Sequence, residues 1–287
     1  MDSLAAIVAN HGELASRTLV GSHKCAEIIH DKFLSWQFAA RHRLPFADTL
    51  LGGPGVDAAA IRDFAGRHGF PLIAKMRRGY GSTGVRIVLN RDHLGHAAAL
   101  PAYVLQPFIG GPDDMRGRLF DCDAGLPLFH APPDSGQYSC QCIIGPSGGL
   151  SDIFCAQHVM IMGRCEEMWR ADDPALQATG RNFATAMARE GWRGSFNLQC
   201  RRSATGEFIG VEMSGRMTGG TSGRLLLGFD EIGEIARLWA GLTSLPCLTA
   251  AVKPAGRVIK TLTDGFLPDA QVEKLRACGI WTGAPRP

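Results

Sequence analysis

The stretch from Phe70 to Leu89, which reads FPLIAKMRRGYGSTGVRIVL, decides the fold of this chain. A short apolar run follows Pro71, and the β-branched run Val85–Leu89 ends the stretch, so both predict strands. Glycines and hydroxyl residues make up the loop between them: Gly79, Gly81, Ser82, Thr83 and Gly84. Glycine permits close backbone approach and positive φ, which leaves N–H groups available to an anion. The stretch therefore predicts a strand–loop–strand flap suited to covering nucleotide phosphates.

The glycine pattern also has other interpretations. A dinucleotide-binding Rossmann unit needs a helix after the last glycine, whereas a strand follows here. The flap of protein kinases carries its lysine after the loop and requires a later H-R-D-x-x-x-x-N segment. In this chain Lys75 precedes the loop and the sequence contains no such segment. A glycine-rich hairpin without any ligand remains the alternative from this stretch alone.

Composition sets broad limits. The 287 residues, 45% of them hydrophobic, suffice for a sizeable core in two or more lobes. With 30 Lys and Arg against 27 Asp and Glu, scattered along the chain, the charge does not indicate nucleic-acid binding. No apolar run predicts a membrane span or a leader peptide, so we expect a cytoplasmic protein. Nine cysteines without C-x-x-C spacing predict reduced thiols, with zinc at Cys140-x-Cys142 as the lesser alternative.

Capping and breaking residues predict three helices, over 22–42, 58–67 and 175–190. The strand Tyr103–Ile109 contains Pro107, which cannot donate a ladder hydrogen bond, so we expect this strand at a sheet edge or at the end of a lobe. Gly219–Gly223 predicts a flexible loop before a helix over Arg224–Leu238. Its N–H groups are suited to an anion, and a plain turn is the alternative.

A hairpin over residues 195–213 is the second informative place. Its polar residues are expected on one face because side chains alternate along a strand: Asn197, Gln199, Glu212, Ser214 and Arg216. With the turn centred between residues 204 and 205, Asn197 is expected opposite Glu212. Amide, carboxylate and hydroxyl oxygens that face one way suit a hard cation such as Mg²⁺. A solvated polar face is the alternative.

Taken in order, these segments resemble the ATP-grasp superfamily, particularly its carboxylate–amine ligases and carbamoyl-phosphate-synthase-like members. The motifs that carry the resemblance span roughly residues 22–240: Asp31-Lys32, PLIAK ending at Lys75, VLQPFIGG at 104–111, GSFNLQ at 194–199, VEMSGRMTGG at 211–220 and GFDE at 228–231. Each motif is loose by itself, whereas their order and spacing are fairly specific. The resemblance implies an α+β fold in which a small antiparallel flap lobe and a larger antiparallel sheet lobe grip ATP.

The resemblance also implies roles for individual residues. Those implied to bind ATP are Lys32, Lys75, the flap residues Gly79, Gly81, Ser82, Thr83 and Gly84, the hinge residues Gln106, Phe108 and Ile109, and Asp113 or Asp114 on the ribose. Those implied to hold Mg²⁺ or Mn²⁺ are Gln199, Glu212 and Ser214. Catalysis is implied for Lys75 and Arg216, which would offset the charge on the moving phosphoryl group.

The sequence departs from the family pattern in three places. Ser214 stands where the motif E-x-N-x-R has asparagine, and a hydroxyl is a weaker metal ligand than an amide oxygen. Gln106-Pro107 stands in the hinge where an acidic residue is common. Few residues precede the Asp31-Lys32 helix, so we expect most of the usual N-terminal domain to be missing, with a homodimer or a second chain supplying that part of the substrate wall.

The resemblance therefore implies an ADP-forming ligase of biosynthesis that joins a small carboxylate, activated as an acyl phosphate, to a small amine. A non-catalytic nucleotide-binding subunit and an ATP-grasp enzyme with another phosphoryl acceptor remain the alternatives. Neither nucleic acid nor a membrane is an expected partner. We expect N-terminal helices and linker at 1–69, a flap lobe and hinge at 70–111, a large lobe with the metal site at 112–265, and a C-terminal helix and tail at 266–287.

Overall fold

A computed structural model describes residues 19–110, 134–161, 163–242, 256–260, 274 and 276–279. The predicted ribose contacts Asp113 and Asp114 lie outside the described residues, as does most of the predicted C-terminal helix. None of the described helices is long and apolar enough to cross a membrane.

The described helices are α1 (His23–His30), α2 (Lys32–Arg41), α3 (Ala58–His68), α4 (Arg91–Ala98), α5 (Pro174–Glu190), α6 (Thr221–Leu226) and α7 (Glu231–Ala240). The described strands are β1 (Leu50–Leu51), β2 (Leu72–Met76), β3 (Arg86–Val88), β4 (Tyr103–Pro107), β5 (Asp134–Ile144), β6 (Phe154–Ile161), β7 (Arg164–Arg170), β8 (Gly194–Arg202), β9 (Phe208–Ser214) and β10 (Arg257–Ile259).

The small lobe is a four-stranded antiparallel sheet in the order β1-β4-β2-β3. Its core contains Phe64 of α3 and Leu94 of α4, packed with Leu72 and Leu105 of the sheet. Strand β1 and helix α3 thus belong to this lobe, so the lobe begins before residue 70, where the sequence placed its start. Strand β4 lies inside the sheet, so the expected edge position is wrong. Pro107 is its last residue, where the strand leaves the lobe.

The large lobe is a six-stranded antiparallel sheet in the order β10-β7-β6-β5-β8-β9. Helices α1, α2 and α5 cover one face, and their side chains join one core with those of the sheet, including Phe38, Phe183 and Trp192. Each buried phenylalanine contributes about 1.5–3 kcal/mol. Because α1 and α2 share this core, they belong to the large lobe. The opposite face of the sheet remains for the site. The two lobes give the α+β, two-sheet architecture that the sequence predicts.

The predicted helix over 22–42 is interrupted at Asp31. This residue is extended, with φ −108° and ψ 114°, and its carboxylate accepts hydrogen bonds from the N–H groups of Phe33 and Leu34 at 3.0 and 3.2 Å. It therefore ends α1 and caps α2, because its side chain competes with the helical backbone for these donors. The break places Lys32 at the start of α2. A second break, at residues 227–230, separates α6 from α7 where one helix was predicted.

Candidate functional site

The β8–β9 hairpin brings the predicted metal residues face to face. Gln199 lies opposite Glu212, and Asn197 lies opposite Ser214. The predicted register is therefore wrong by two residues. The strands pair Arg202 with Phe208, which centres the loop on residue 205, and a bulge then adds one more residue to β9. A shift of two residues keeps every side chain on its predicted face, so the polar cluster forms as expected.

The flap loop between β2 and β3 is a tight, glycine-dependent turn. Gly81, Ser82 and Gly84 have φ of 62°, 58° and 70°, a left-handed conformation that glycine adopts without strain. The N–H groups of Thr83 and Val85 donate back within the loop at 3.2 Å. Those of Gly81, Ser82 and Gly84 have no protein acceptor within the described ranges. The loop therefore presents a group of available donors at its tip.

The flap tip closes on the large lobe. A methyl group added to Gly163, in the turn between β6 and β7, would lie only 2.7 Å from Cβ of Ser82. The base of the flap is also tied down, because Arg77 and Arg78 both pair with the buried carboxylate of Asp31, at 2.6 and 3.3 Å. Burial opposes the charge on Asp31, yet the hydrogen bonds from Arg77, the Leu34 N–H and Arg78 hold its pKa below the ordinary value.

Two lysines converge beneath the flap. Lys32 Nζ donates to the carbonyl of Gly79 at 3.2 Å and lies 3.7 Å from Oε1 of Glu212. Lys75 Nζ, from β2, donates to the carbonyl of Val211 at 3.4 Å, one residue before Glu212. Burial lowers the pKa of Lys75 to about 8. The nearby Glu212 opposes this shift, whereas Lys32 and Arg201 add to it. The two lobes thus meet at a cluster of two lysines and the Glu212 carboxylate.

The hinge is held by Arg201, which the sequence did not single out. Its Nε donates to the carbonyl of Ile109 at 2.5 Å, and its guanidinium lies 4.8 Å from the ring centroid of Phe108. The same guanidinium binds both carboxylate oxygens of Asp134, at 2.7 and 3.2 Å. The predicted hinge residue Gln106 turns its side chain into the small lobe, where Nε2 donates to Oγ1 of Thr49 at 3.0 Å.

A cavity of about 780 Å³ opens between the flap tip and the polar face of the large sheet. Its lining includes most of the predicted metal and flap-tip residues: Gly81, Ser82, Gln199, Glu212, Ser214 and Arg216. Gly79, Thr83 and Gly84 do not line it, and neither do Lys32, Lys75 or the three hinge residues. The cavity therefore continues from the lysine–carboxylate cluster away from the hinge.

The wall opposite the flap is built on a buried ion pair. Arg224 of α6, which is 1% exposed, pairs with the fully buried Glu231 of α7 and donates to the hydroxyls of Thr218 and Thr221 at 3.0 and 3.2 Å. Lys260, just after β10, donates to the carbonyl of Gly219. These contacts fix the predicted glycine loop from two sides.

Three residues missed by the sequence analysis form a hydrogen-bonded chain on the cavity floor. Ser139 Oγ and His158 Nε2 are 2.7 Å apart, and His158 Nδ1 and Cys165 Sγ are 3.4 Å apart. Burial, with Arg224 and Lys260 nearby, lowers the pKa of His158 to about 4. His158 is thus more than the packed strand residue its isolated position indicates. Polar residues alternating with Tyr138, Cys140 and Cys142 along β5 were the available signal.

Two antiparallel lobes define the class of fold, with a glycine flap on the smaller lobe and a lysine–carboxylate cluster beneath that flap. The chain has the ATP-grasp fold, as its motif order predicts. No protein-family model and no curated protein sequence matches it.

Solved structures do match this chain. The biotin carboxylase domain of 2-oxoglutarate carboxylase from Hydrogenobacter thermophilus, a dimer with MgADP, ADP and bicarbonate, superposes with a TM-score of 0.62 at 16% identity, over 83% of this chain and 51% of its own. Campylobacter jejuni biotin carboxylase gives 0.63 at 17%, over 89% and 55%. N5-carboxyaminoimidazole synthase from Aspergillus clavatus, with ADP and 5-aminoimidazole ribonucleotide, gives 0.63 at 12%, over 96% and 66%. The chain thus spans about half to two thirds of their length, and at such identity the likeness establishes the fold alone.

Proposed function

We propose that this chain is an ATP-dependent, ADP-forming ligase that activates a small carboxylate as an acyl phosphate and transfers the acyl group to a small amine. The observation that carries the proposal is the convergence of Lys32 and Lys75 from two elements on the Glu212 segment, beneath a glycine flap. An arrangement of two cations, one carboxylate and available N–H donors suits a triphosphate bridged by a metal ion.

The proposed cofactors are ATP and Mg²⁺ or Mn²⁺, which agrees with the ADP, MgADP and ATP-type ligands of the structural relatives. Glu212, Gln199 and Ser214 offer one carboxylate, one amide and one hydroxyl oxygen on one face of the hairpin. Hard oxygen donors fit Mg²⁺, and so sparse a set fits an ion that keeps waters and phosphate oxygens as ligands. When bound, the metal would supply charge neutralisation at the transferred phosphoryl group.

The protein's own residues have separate tasks in this proposal. Lys75 and Lys32 offset the phosphate charge from below, and the flap N–H groups bind it from above. The flap tip at Ser82 lies against the turn at Gly163, and closure at this contact would keep water from an acyl phosphate. Arg216 lines the same cavity and is exposed within it, which supports its proposed role of steadying the acyl phosphate. The hinge segment Gln106–Ile109 and Asp113 or Asp114 are the proposed adenosine contacts.

Two further proposals concern the acid substrate and the oligomeric state. Bicarbonate is a candidate acid, giving carboxyphosphate instead of an organic acyl phosphate, because a structural relative contains bicarbonate. A homodimer is the proposed assembly, since the same relative is a dimer. The proposed segments are those expected from the sequence, with β1 and α3 added to the flap lobe and α1 and α2 added to the large lobe.

ADP release is the direct test. Purified protein is incubated with ATP, Mg²⁺, bicarbonate or a pool of organic acids, and a pool of amines, and products are identified by mass spectrometry. We expect acid- and amine-dependent ADP release that falls by at least about a hundredfold in Lys75→Ala and in Glu212→Ala, because each removes transition-state charge stabilisation. Lys24→Ala is the matched control, since this lysine is 63% exposed and pairs with Glu190 away from the cavity.

The alternatives give different results. Binding of MgATP without ADP release under any acid and amine pool supports a non-catalytic nucleotide-binding subunit. ADP release that needs an acid but no amine indicates another phosphoryl acceptor. Turnover that survives both substitutions refutes the assigned site.

A further inference from the structure

The sheet order places Ser139 next to the proposed reaction centre. Strand β5 lies beside β8, and Ser139 is directly opposite Gln199. Because neighbouring strands are about 4.8 Å apart, Ser139 lies about one strand spacing from the proposed metal ligand Gln199 and about two from Glu212. His158 and Cys165 follow on β6 and β7, further across the cavity floor. A second substrate that enters from the β10 side and approaches the proposed phosphoryl group would pass over the hydrogen bonds of Ser139, His158 and Cys165.

The hydrogen bonds that link Ser139, His158 and Cys165 all have the same direction. Cys165 donates its S–H to the carbonyl of Glu167 at 3.4 Å, so its sulfur meets His158 as an acceptor. His158 is neutral, because its pKa is lowered to about 4, and it carries a single ring proton. With that proton on Nδ1, facing Cys165, Nε2 is left as an acceptor. In that tautomer Ser139, 2.7 Å from Nε2, donates its hydroxyl proton to His158.

This direction fixes what Ser139 offers to the cavity. A hydroxyl has one proton and two lone pairs. With the proton given to His158, Ser139 presents only lone pairs to a ligand. The residue therefore recognises an N–H or O–H donor and is unsuited to a carboxylate or a phosphate oxygen. This property distinguishes Ser139 from the cationic residues around it, which suit anions.

The charges around Ser139, His158 and Cys165 disfavour a protonated amine. Glu212 is the single carboxylate among the described residues of the lining, and it is occupied by Lys32. Arg216 and Lys260 donate to backbone carbonyls and have no carboxylate partner within the described ranges. An ammonium group would enter a region of positive potential without a counter-charge, whereas a neutral amine would not.

We infer that Ser139, oriented by His158 and Cys165, accepts a hydrogen bond from the attacking amine, and that the cavity takes a weakly basic amine that is neutral at physiological pH in preference to an ammonium. Ser139 is the substrate-contacting residue, and His158 and Cys165 are positioning residues. The inference specifies the substrate class of the proposed ligase and so rests on that function, yet amine binding can be measured without any turnover.

Nuclear magnetic resonance of protein labelled with ¹⁵N-histidine, loaded with MgADP, tests the inference directly. Aniline and benzylamine serve as matched probes, because both carry a benzene ring and an amine but only benzylamine is protonated at neutral pH. The variants are Ser139→Ala, Ser139→Thr, which keeps the hydroxyl, and Ser195→Ala. Ser195 is the matched control because it is also 5% exposed and bonded to one side chain of the sheet, yet lies outside the cavity lining.

The expected result has three parts. His158 shows the tautomer protonated at Nδ1, aniline shifts its Nε2 resonance with saturation, and benzylamine binds at least about tenfold more weakly. Ser139→Ala weakens aniline binding about fivefold, as expected for the loss of one hydrogen bond. Ser139→Thr and Ser195→Ala stay within about twofold.

Several results overturn the inference: an Nε2-protonated His158, benzylamine binding as tight as aniline, no aniline binding, or aniline binding unchanged in Ser139→Ala. Failure of the proposed ligase function is recognised separately. In the absence of amine, an acyl phosphate forms reversibly and scrambles ¹⁸O between the bridging and non-bridging positions of ATP. Loss of scrambling with every acid refutes the ligase while leaving the amine titration valid. Scrambling without amine selectivity refutes only the subsite.

Discussion

Replacing Lys75 with methionine should abolish ATP turnover and, at the same time, make the nucleotide-free protein more stable. Lys75 is held between the lobes, where burial, with Lys32 and Arg201, lowers its pKa from 10.5 to about 8 despite the attraction of Glu212. The folded state therefore disfavours the charged ammonium relative to the unfolded chain. A site built to receive phosphate carries this unfavourable charge until the ligand arrives.

The magnitude follows from the pKa. The gap between 10.5 and about 8 corresponds to about 3 kcal/mol of differential interaction between the two protonation states. Methionine has a similar length and no charge, so it removes this penalty while largely filling the same space. It also removes the hydrogen bond to Val211, which offsets about 1 kcal/mol, whereas the attraction of Glu212 is already contained in the pKa. We therefore expect a net gain of about 2 kcal/mol in the free energy of unfolding at pH 7.

Urea denaturation of the nucleotide-free protein between pH 7 and pH 10 measures the effect. Because the folded pKa of Lys75 lies below the unfolded one, the wild-type folded state carries the full penalty below about pH 8 and loses it as the pH rises toward 10.5. The advantage of Lys75→Met should shrink over that interval. Lys24→Met is the control and should change the free energy of unfolding by less than about 1 kcal/mol, because Lys24 and Glu190 form an ion pair at the surface. A Lys75→Met protein that is less stable than wild type at pH 7, or an advantage that does not vary with pH, refutes the reasoning.

Three further predictions follow from close contacts. Gly163→Ala places a methyl group 2.7 Å from Cβ of Ser82, at a φ of 77° that disfavours alanine. It should therefore hold the flap open and lower kcat, measured by ADP release, about tenfold or more. An unchanged kcat contradicts flap closure on this turn. Gly180→Ala should lower the free energy of unfolding by about 1–3 kcal/mol, because its Cβ would lie 2.5 Å from that of Cys140, and this overpacking outweighs the better helix propensity of alanine; thermal unfolding decides. Arg201→Lys cannot reproduce the bidentate carboxylate contact together with the bond to the hinge carbonyl, so KM for ATP should rise about tenfold with a smaller change in kcat, and an unaltered KM contradicts its role at the hinge.

The sequence by itself determined the parts that depend on local preferences and short spacing. The glycine loop between two β-branched runs gives the flap, because only glycine-rich turns adopt the required positive φ and expose N–H groups together. Asp57 begins α3 and Gly191 ends α5, since the capping chemistry acts within a few residues. The polar face of the β8–β9 hairpin follows from strict alternation within each strand, and the error of two residues in the predicted register leaves every side chain on its predicted face.

The tertiary structure decided what depends on partners far away in the chain. One carboxylate oxygen of Asp31 caps α2, and the other pairs with Arg77 and Arg78 at the base of the flap, a contact that helix periodicity does not encode. The bulge that sets Gln199 opposite Glu212 changes the register, which the alternation of polar residues does not specify. Ser139, His158 and Cys165 are distant in sequence and meet only because three neighbouring strands align them. A hydrogen bond is specified by distance and direction in space, and neither can be obtained from residue spacing once the residues belong to different strands.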